Sequence, residues 1–211
     1  MKRRTRDYQR QVFINCPYDD QYLPLMKAAI FTVYACGFRP LFASSVVGAD
    51  NTRIDKILAM VDDCRLSIHD ISRITTGSQE LPRFNMPFEF GIVVGAHKLG
   101  GRRQATKRYH LLDSQPNRYQ RSLSDSAGID PDFHHDDTGR MIQCVRRFLA
   151  GCITKQQDLA GAAAIEKRYN DFRRILPSIA KAAELSEREI ESADYLDDWA
   201  RIAAAWLEKA A

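Results

Sequence analysis

The sequence of 211 residues lacks the features that assign a chain to a class most quickly. It has five cysteines but no CxxC pair, and its apolar runs are too short for a transmembrane helix. No apolar segment follows the basic start, so we expect no signal peptide. The cysteines lie in apolar contexts and are odd in number. This pattern predicts reduced, buried thiols in a cytoplasmic protein.

Widespread catalytic and phosphate-binding motifs are missing as well. The chain has no GxGxxG after its first predicted strand, and it has no GxxxxGK[ST], GxSxG or HExxH. A dehydrogenase, a P-loop NTPase and an α/β-hydrolase are therefore poor fits. We expect no bound cofactor and no metal site.

Excess charge is scarce outside the first ten residues. The formal net charge is +4, and the segment MKRRTRDYQR alone carries five cations against one acid, so residues 11–211 are neutral in sum. This pattern predicts a disordered basic tail ahead of a neutral domain. Because a nucleic-acid-binding fold carries its charge on a structured face, we expect neither a nucleic-acid partner nor a membrane partner.

Strand-like and helix-like segments alternate along the first half of the chain. Runs of β-branched and aromatic residues predict strands at 11–16, 39–45, 66–72 and 109–113. Apolar and amphipathic segments predict helices at 21–36, after Thr52 and from Pro87. Gly37 is predicted to end the first helix. Thr52 and Asp55 have the spacing of a capping box at the start of the second, whose predicted apolar face comprises Ile54, Ile57, Leu58 and Val61. The alternation predicts an α/β fold, a flavodoxin-like parallel sheet with helices on both faces.

The second half of the chain is mostly helical in pattern. We expect a short edge strand near Phe133 and helices over 141–153, 162–184 and 187–210. Ser186 and Glu189 are predicted to form a capping box at the start of the last helix. Three parts follow, namely a basic tail over 1–10, an α/β domain over 11–153 and C-terminal helices over 154–211. The apolar face of the last helix, with Trp199, Ile202, Trp206 and Leu207, packs on the domain or forms a dimer interface.

Polar and aromatic side chains cluster where a ligand site is expected. In open parallel sheets, ligands bind beyond the carboxyl ends of the strands, where the strand order reverses. For a flavodoxin-like order this point lies between the first and third strands. The candidates there are Cys16, Pro17, Tyr18, Asp19, Asp70, Ser72, Arg73, Arg83, Phe84, Asn85, Phe88 and Glu89.

Glu89 and Asp70 are the candidates for catalysis. Glu89 is predicted in the first turn of an apolar helix, where the helix dipole favours an ionised carboxylate. Such a group suits attack on, or stabilisation of, an oxocarbenium-like ribosyl centre. The other interpretation is that Glu89 is only a favourable first-turn acid. Asp70 ends a buried strand, where it binds a ribose hydroxyl or assists Glu89, or else accepts N–H bonds from its own loop.

The remaining candidates also have two interpretations each. Tyr18, Phe84 and Phe88 stack on a base or pack in the core. Arg73 and Arg83 hold a diphosphate or are solvated loop arginines.

Other polar residues are predicted to have mainly structural roles. Asp19 and Asp20 cap the first helix or contact a ligand sugar. The run His134–Asp137 has the composition of a metal site, but neighbours in an extended loop point in opposite directions, which argues against a shared metal. His69, His97 and His110 occur singly in apolar elements and are expected to be structural.

Five segments resemble a known group of proteins. FINCPYDDQY, CGFRP, RIDKI, CRLSIHDISR and LPRFNMPFEFG, in this order, resemble a bacterial group of TIR-like (Toll/interleukin receptor-like) proteins. That group is related in fold to the nucleoside 2-deoxyribosyltransferases. The resemblance covers roughly residues 11–115, and the later helices look similar to the C-terminal part of that group.

The resemblance implies a sheet with strand order 2-1-3-4-5 and a glutamate, on the helix after strand 3, that acts at the anomeric carbon of a ribosyl group. Glu89 of MPFEFG occupies that position, and Asp70 matches an aspartate that the transferases carry after strand 3. Enzymatic TIR proteins cleave the nicotinamide–ribose bond of NAD, and bacterial ones often serve in antiviral defence. The transferases have Asp-x-Gly-Thr ahead of the glutamate, where this chain has Asn85-Met86-Pro87, so NAD cleavage is favoured over nucleoside transfer.

The leading hypothesis is a TIR-like N-glycosidase for which NAD, or a related nucleotide, is substrate and not cofactor. Glu89 stabilises or traps the ribosyl cation, while Asp70 and Asp19 orient the ribose. Phe84 or Phe88 flanks the nicotinamide ring. Two alternatives remain, namely a non-catalytic nucleotide-sensing module that self-associates into a homo-oligomer, and an enzyme resembling the deoxyribosyltransferases.

Overall fold

A computed structural model describes residues 7–42, 52–73, 84–116, 129–153 and 159–210. The chain forms two compact units. The sheet unit comprises Met1–Pro17 and Arg39–Asp136, and the helical unit comprises Tyr18–Phe38 and Asp137–Ala211. The domain boundary expected at residue 153 stays a prediction.

The sheet unit is built on five parallel strands in the order β2-β1-β3-β4-β5. This order confirms the flavodoxin-like α/β fold, and the order reverses between β1 and β3 as expected. The strands are β1 (Gln11–Asn15), β2 (Arg39–Leu41), β3 (Leu66–Asp70), β4 (Arg108–Asp113) and β5 (Asp132–Phe133). From residue 11 onward, the α-helices in the described part of the chain are α1 (Leu23–Ala35), α2 (Arg53–Asp63), α3 (Asn85–Leu99), α4 (Thr138–Ala150), α5 (Ala162–Ala182), α6 (Glu187–Glu191) and α7 (Leu196–Lys209).

Helices α2 and α3 of the sheet unit pack on the same face of the sheet. Phe13 of β1 clusters with Ile57 of α2 and Val93 of α3. Leu111 of β4 clusters with Phe90 of α3 in a second group. Since these contacts join α3 to strands on both sides of β3, the start of α3 is held near the carboxyl ends of the central strands.

Helix α2 begins as the sequence predicts, but it buries a different stripe. Thr52 and Asp55 form a complete capping box, in which each side chain accepts from the other residue's backbone N–H. The predicted apolar face is only half correct, because Ile54 and Leu58 are exposed. The buried stripe includes Met60, so the face that packs is rotated from the one that the sequence suggests.

The helical unit gathers its aromatic side chains around α1 and α5. The ring of Phe31 in α1 contacts those of Phe172 in α5 and Trp206 in α7, and Trp199 also packs on Phe172. Helix α1 ends as predicted at Gly37, whose φ of +76° is a left-handed conformation that glycine adopts without strain. Among the described residues, no helix is both long and apolar enough to cross a bilayer.

The single helix predicted over 187–210 is two helices. Ser186 and Glu189 form the expected capping box at the start of α6. After Glu191 the chain makes a 3-10 turn, and the side chain of Ser192 accepts from the N–H of Asp194. This local bond ends α6 and redirects the chain into α7, because serine side chains compete for backbone N–H groups.

Part of the predicted disordered tail is ordered. Residues 7–10 are helical and Tyr8 is buried. The Tyr8 hydroxyl donates to the carbonyl of Arg103 at 2.8 Å, and the Arg103 guanidinium lies 4.2 Å from the centre of the Tyr8 ring. The prediction for residues 1–6 lies outside the described residues. One aromatic residue therefore anchors a segment whose composition alone indicates a free tail.

Candidate functional site

The carboxyl ends of β1 and β3 meet the first turn of α3. Asn15, which ends β1, donates from Nδ2 to the carbonyl of Met86 (3.3 Å), and the same nitrogen lies 2.9 Å from Nδ1 of His69. On the other side of the ring, Nε2 of His69 lies 2.9 Å from Oγ of Ser67. Burial lowers the pKa of His69 to about 3, so its ring is neutral and Nδ1 can accept from the Asn15 amide.

Glu89 presents a buried carboxyl group on α3. The residue is only 5% exposed. Its Oε1 lies 3.6 Å from a guanidinium nitrogen of Arg53, the first residue of α2, and Arg53 itself is largely exposed. Burial raises the pKa of Glu89, and the neighbouring Arg53 charge acts in the opposite direction. The starts of the two helices thus place an acid and a base side by side.

Glu89 lies further along its helix than predicted, and the predicted effect of the helix N-terminus on its ionisation is therefore wrong. Helix α3 starts at Asn85 instead of Pro87, and the N–H of Phe88 already donates to the carbonyl of Phe84. Pro87 is tolerated because the N–H groups of a first turn have no partner within the helix. Glu89 therefore lies beyond the first turn, where the helix N-terminus no longer favours the carboxylate. Burial opposes its ionisation instead.

Asp70 is buried at the end of β3 and contacts His134, which directly follows the edge strand β5. Its Oδ1 accepts from the N–H of Ser72 at 2.7 Å, and its Oδ2 lies 2.9 Å from Nε2 of His134. Nδ1 of His134 accepts from the N–H of Asp136 at 3.0 Å, which places the ring proton on Nε2, facing Asp70. Asp70 and His134 are both fully buried.

The loop after β5 has an unusual backbone next to this pair. His135 and Asp136 have φ values of 53° and 55°, the left-handed region that side chains other than glycine seldom adopt. Asp136 also lies 4.0 Å from a guanidinium nitrogen of Arg73. The bonds that His134 makes therefore hold a strained turn against the end of β3.

The two predicted catalytic carboxyl groups lie on opposite faces of the sheet. The rings of His69 and Phe90 of α3 contact each other, with centroids 5.1 Å apart, so His69 faces α3. Side chains alternate along a strand, and Asp70 therefore points to the other face, away from Glu89. The structure pairs Asp70 with His134 and Glu89 with Arg53. A shared catalytic role for Asp70 and Glu89 stays a prediction that this geometry does not favour.

Three further predicted binding residues are buried beside the strand ends. Cys16 and Pro17 follow β1, and Ser72 follows β3. Their side chains offer little surface to a ligand, although the backbone at these positions borders the carboxyl edge.

The predicted binding residues at the start of α3 are exposed, unlike those beside the strand ends. Phe84 is 65% exposed and Phe88 is 61% exposed, one helical turn apart, and Asn85 beside them is exposed too. Neither aromatic side chain is a core residue, so the core interpretation is wrong for both. Both rings are available to a planar ligand. Arg83, predicted to bind a diphosphate, lies outside the described residues.

Tyr18 and Asp19 belong to the helical unit. The Tyr18 hydroxyl donates to the carbonyl of Ala193 at 2.8 Å. Oδ1 of Asp19 accepts from the N–H of Tyr22 at 2.9 Å, and the Asp19 carbonyl accepts from the N–H of Leu23. These bonds close the turn that leads into α1, which favours the capping interpretation of Asp19. Roles for either residue in ligand binding stay predictions.

The other histidines have local packing partners. The ring of His97 meets that of Tyr109 edge-on, and Nε2 of His110 lies 3.0 Å from a carboxylate oxygen of Asp132. Within the part of the chain that the structure describes, no group of three side chains is arranged to hold a metal ion.

Two residues of the site were not among the sequence-based candidates for substrate binding. Arg53 starts α2, far along the chain from Glu89, and only its position directly after the Thr52 cap marks it as a residue at the carboxyl edge. The residues around His134 have the composition of a metal site, which gives no sign of its pairing with Asp70. The two residues are more than sixty positions apart in the chain. A two-residue strand such as β5 leaves too short a pattern to predict where the following loop lies.

Comparisons with known proteins yield no match, whether to a family model, to a characterised protein or to a solved structure, so the function is argued from the geometry of the carboxyl edge.

Proposed function

We propose that this protein is an N-glycosidase that cleaves the nicotinamide–ribose bond of NAD or a related nucleotide. One observation carries the proposal, namely a buried glutamate beside an arginine at the carboxyl edge of a sheet whose order reverses there. Burying a carboxyl group costs stability, and such groups are common where a reaction uses the charge. The role in bacterial antiviral defence is part of the same proposal and rests on the resemblance of the sequence segments.

Cleavage of the nicotinamide–ribose bond requires little from the protein beyond one carboxylate. The bond between C1′ of the ribose and the pyridinium nitrogen breaks, and its electron pair stays on nicotinamide, which leaves as a neutral molecule. The positive charge that develops on the ribosyl ring is stabilised or trapped by the Glu89 carboxylate. Water then adds at C1′ and releases one proton. The low-dielectric surroundings of Glu89 strengthen its attraction for the ribosyl cation.

Two neighbouring features fit this substrate. The exposed rings of Phe84 and Phe88 at the start of α3 offer stacking surfaces for nicotinamide or for the second base. Arg53 carries an exposed guanidinium that suits a phosphate oxygen of the substrate. In this scheme Arg53 contacts the substrate, and its charge lowers the pKa of Glu89 against the effect of burial.

The test is release of nicotinamide from NAD by the purified full chain. Replacing Glu89→Gln keeps the shape and removes the charge, so release should fall at least about a hundredfold, as when an electrostatic transition-state contact is lost. The matched control is Glu208→Gln, an exposed glutamate near the end of α7. Equal activity of the two variants, or no release by the wild type at high enzyme concentration, would end the proposal for NAD.

The same variant has an expected effect on stability. Because burial raises the pKa of Glu89, the charged form is disfavoured in the folded state, and the free energy of unfolding at neutral pH is reduced by it. Glu89→Gln should therefore leave the melting temperature unchanged or raise it while it removes activity. A fall in the melting temperature would mean that Glu89 is chiefly structural.

A second candidate function is nucleotide binding without turnover. The observation that favours it is the engagement of Asp70 with Ser72 and His134, which separates this second predicted catalytic carboxyl group from Glu89. Calorimetric titration with NAD decides between the two. Binding that survives in Glu89→Gln, with no nicotinamide released by the wild type, favours the binding module. Base exchange between deoxynucleosides would instead indicate deoxyribosyl transfer.

A further inference from the structure

Arginines gather at the amino ends of the strands, the edge of the sheet opposite the candidate site. Arg39 is the first residue of β2 and Arg108 is the first residue of β4. Arg10 and Arg65 immediately precede β1 and β3. The parallel register pairs Gln11 with Arg39 and pairs Leu66 with both Val12 and Arg108, so these four arginines start neighbouring strands at nearly the same level. Adjacent strands lie about 4.8 Å apart, so the row extends over roughly 14 Å.

The loop that enters β4 adds charge to the same edge. Helix α3 returns the chain to the amino ends, and Arg102 and Arg103 lie in the loop before Arg108. Both are exposed, as is Lys98 in the last turn of α3. We call the six arginines the arginine edge: Arg10, Arg39, Arg65, Arg102, Arg103 and Arg108.

Acids at this edge are few among the described residues of the sheet unit. Asp62 pairs with Arg103 at 3.3 Å, and Asp63 and Asp7 are the others. Buried Lys107 lies behind the edge, where it donates to the carbonyls of Val61 and Cys64. Acids are concentrated instead at the carboxyl ends of the strands. The neutral sum of the chain beyond residue 10 therefore hides a separation of charge along the strands.

We propose that the arginine edge binds the phosphodiester backbone of a nucleic acid without regard to sequence. Several guanidinium groups gathered at one edge give a concentrated positive charge that suits a polyanion, and guanidinium is the side chain best suited to phosphate oxygens. Arg65 is held by its own bond from Nε to the carbonyl of Thr106 at 3.3 Å, which fixes one charge of the row.

The proposal revises the expectation from summed charge. Nucleic-acid binding depends on how charge is distributed over a structured face, and this edge is basic although the sheet unit beyond residue 10 has a formal net charge of only +1. The inference is independent of the glycosidase proposal, because the arginine edge and Glu89 lie at opposite ends of the strands.

The test is fluorescence anisotropy of labelled duplex DNA and of single-stranded RNA, titrated with the full chain at several salt concentrations. We expect the chain to bind both nucleic acids, with an affinity that falls as the salt concentration rises. A triple variant, Arg39→Gln with Arg102→Gln and Arg108→Gln, should reduce the magnitude of the slope of log affinity against log salt concentration by about 2 to 3. The control loses three exposed arginines of the helical unit: Arg168→Gln, Arg174→Gln and Arg201→Gln. Circular dichroism checks that both variants fold.

Each outcome has one meaning. Loss of affinity and of salt dependence in the edge variant alone supports the proposal, and a preference for DNA or for RNA identifies the source. No binding by the wild type at low salt overturns it, as does an equal loss in both triple variants. Binding to phosphatidylserine vesicles but not to nucleic acid assigns the edge to a membrane surface and also overturns it.

Discussion

Arg53 and Glu89 form a contact in which one side chain sets the charge of the other. The Arg53 guanidinium favours the ionised form of Glu89, against the burial that raises its pKa. In Arg53→Gln the pKa of Glu89 should rise further, so the acid limb of the pH–rate profile for nicotinamide release should move to higher pH. Arg53→Lys keeps the positive charge, so its acid limb should lie close to that of the wild type. A change in KM with an unmoved limb would show that Arg53 only binds substrate.

His69 is expected to make the fold sensitive to acid. Burial lowers its pKa from 6.5 to about 3, so between these values the unfolded chain binds a proton that the folded chain does not. Stability is therefore fully present above pH 6.5 and is lost as the pH falls towards 3, with the unfolding constant rising about tenfold per pH unit. His69→Gln should flatten this dependence in urea unfolding at several pH values. A variant that keeps the wild-type slope would contradict this prediction.

The sequence predicts the positions of two candidate site residues but not their partners. Asp70 and Glu89 are predicted at the carboxyl edge, and both lie near it, while their roles stay predictions. Strand β3 is buried at every position, so its pattern has no alternation to show that His69 and Asp70 face opposite ways. Arg53 and His134 reach their carboxyl partners through contacts between distant parts of the chain. Such pairs depend on strand register and helix packing, which local patterns do not contain.

The capping box that starts α2 connects a local sequence signal to the site. Thr52 and Asp55 fix the start of the helix, and Arg53 lies between them. Thr52→Ala should lower the free energy of unfolding by about 1 kcal/mol, because the N–H of Asp55 loses its acceptor. Thr52→Ser keeps the hydroxyl and should stay within a few tenths of a kcal/mol of the wild type. Urea midpoints measure both, and equal losses in the two variants would contradict a capping role.

Among the secondary-structure elements, the ends of helices are easier to predict from the sequence than breaks within them. Gly37 and the capping boxes at Thr52 and Ser186 are predictable because each satisfies backbone groups with residues only a few positions apart. The break at Ser192 is not predictable from the apolar spacing, since the spacing that includes Trp199 continues across it. The sequence places the start of α3 two residues after Asn85, because a proline suits any position of a first turn.

The sheet unit as a whole is closed at its amino edge by Tyr8. Tyr8→Ala should destabilise the protein by about 3–5 kcal/mol, as expected when a buried aromatic ring is removed. Tyr8→Phe keeps the ring and loses only the hydroxyl bond to Arg103, at about 1 kcal/mol. Deletion of residues 2–6 should leave the melting temperature unchanged. Calorimetric melting of the three variants tests this order, and a neutral Tyr8→Ala would restore the prediction of a free tail.

All five cysteines are buried and unbridged, and they are distributed over both units of the chain. Cys16 and Cys64 lie in the sheet unit, and Cys36, Cys144 and Cys152 lie in the helical unit. Burial raises the pKa of Cys36 to about 11 and that of Cys64 to about 12, so alkylating reagents find few thiolates until the surrounding structure opens. Alkylation of each cysteine therefore reports when the structure around that residue opens. Pulsed alkylation followed by peptide mass spectrometry would time the exposure of each thiol and reveal whether the two units unfold in one step or in sequence.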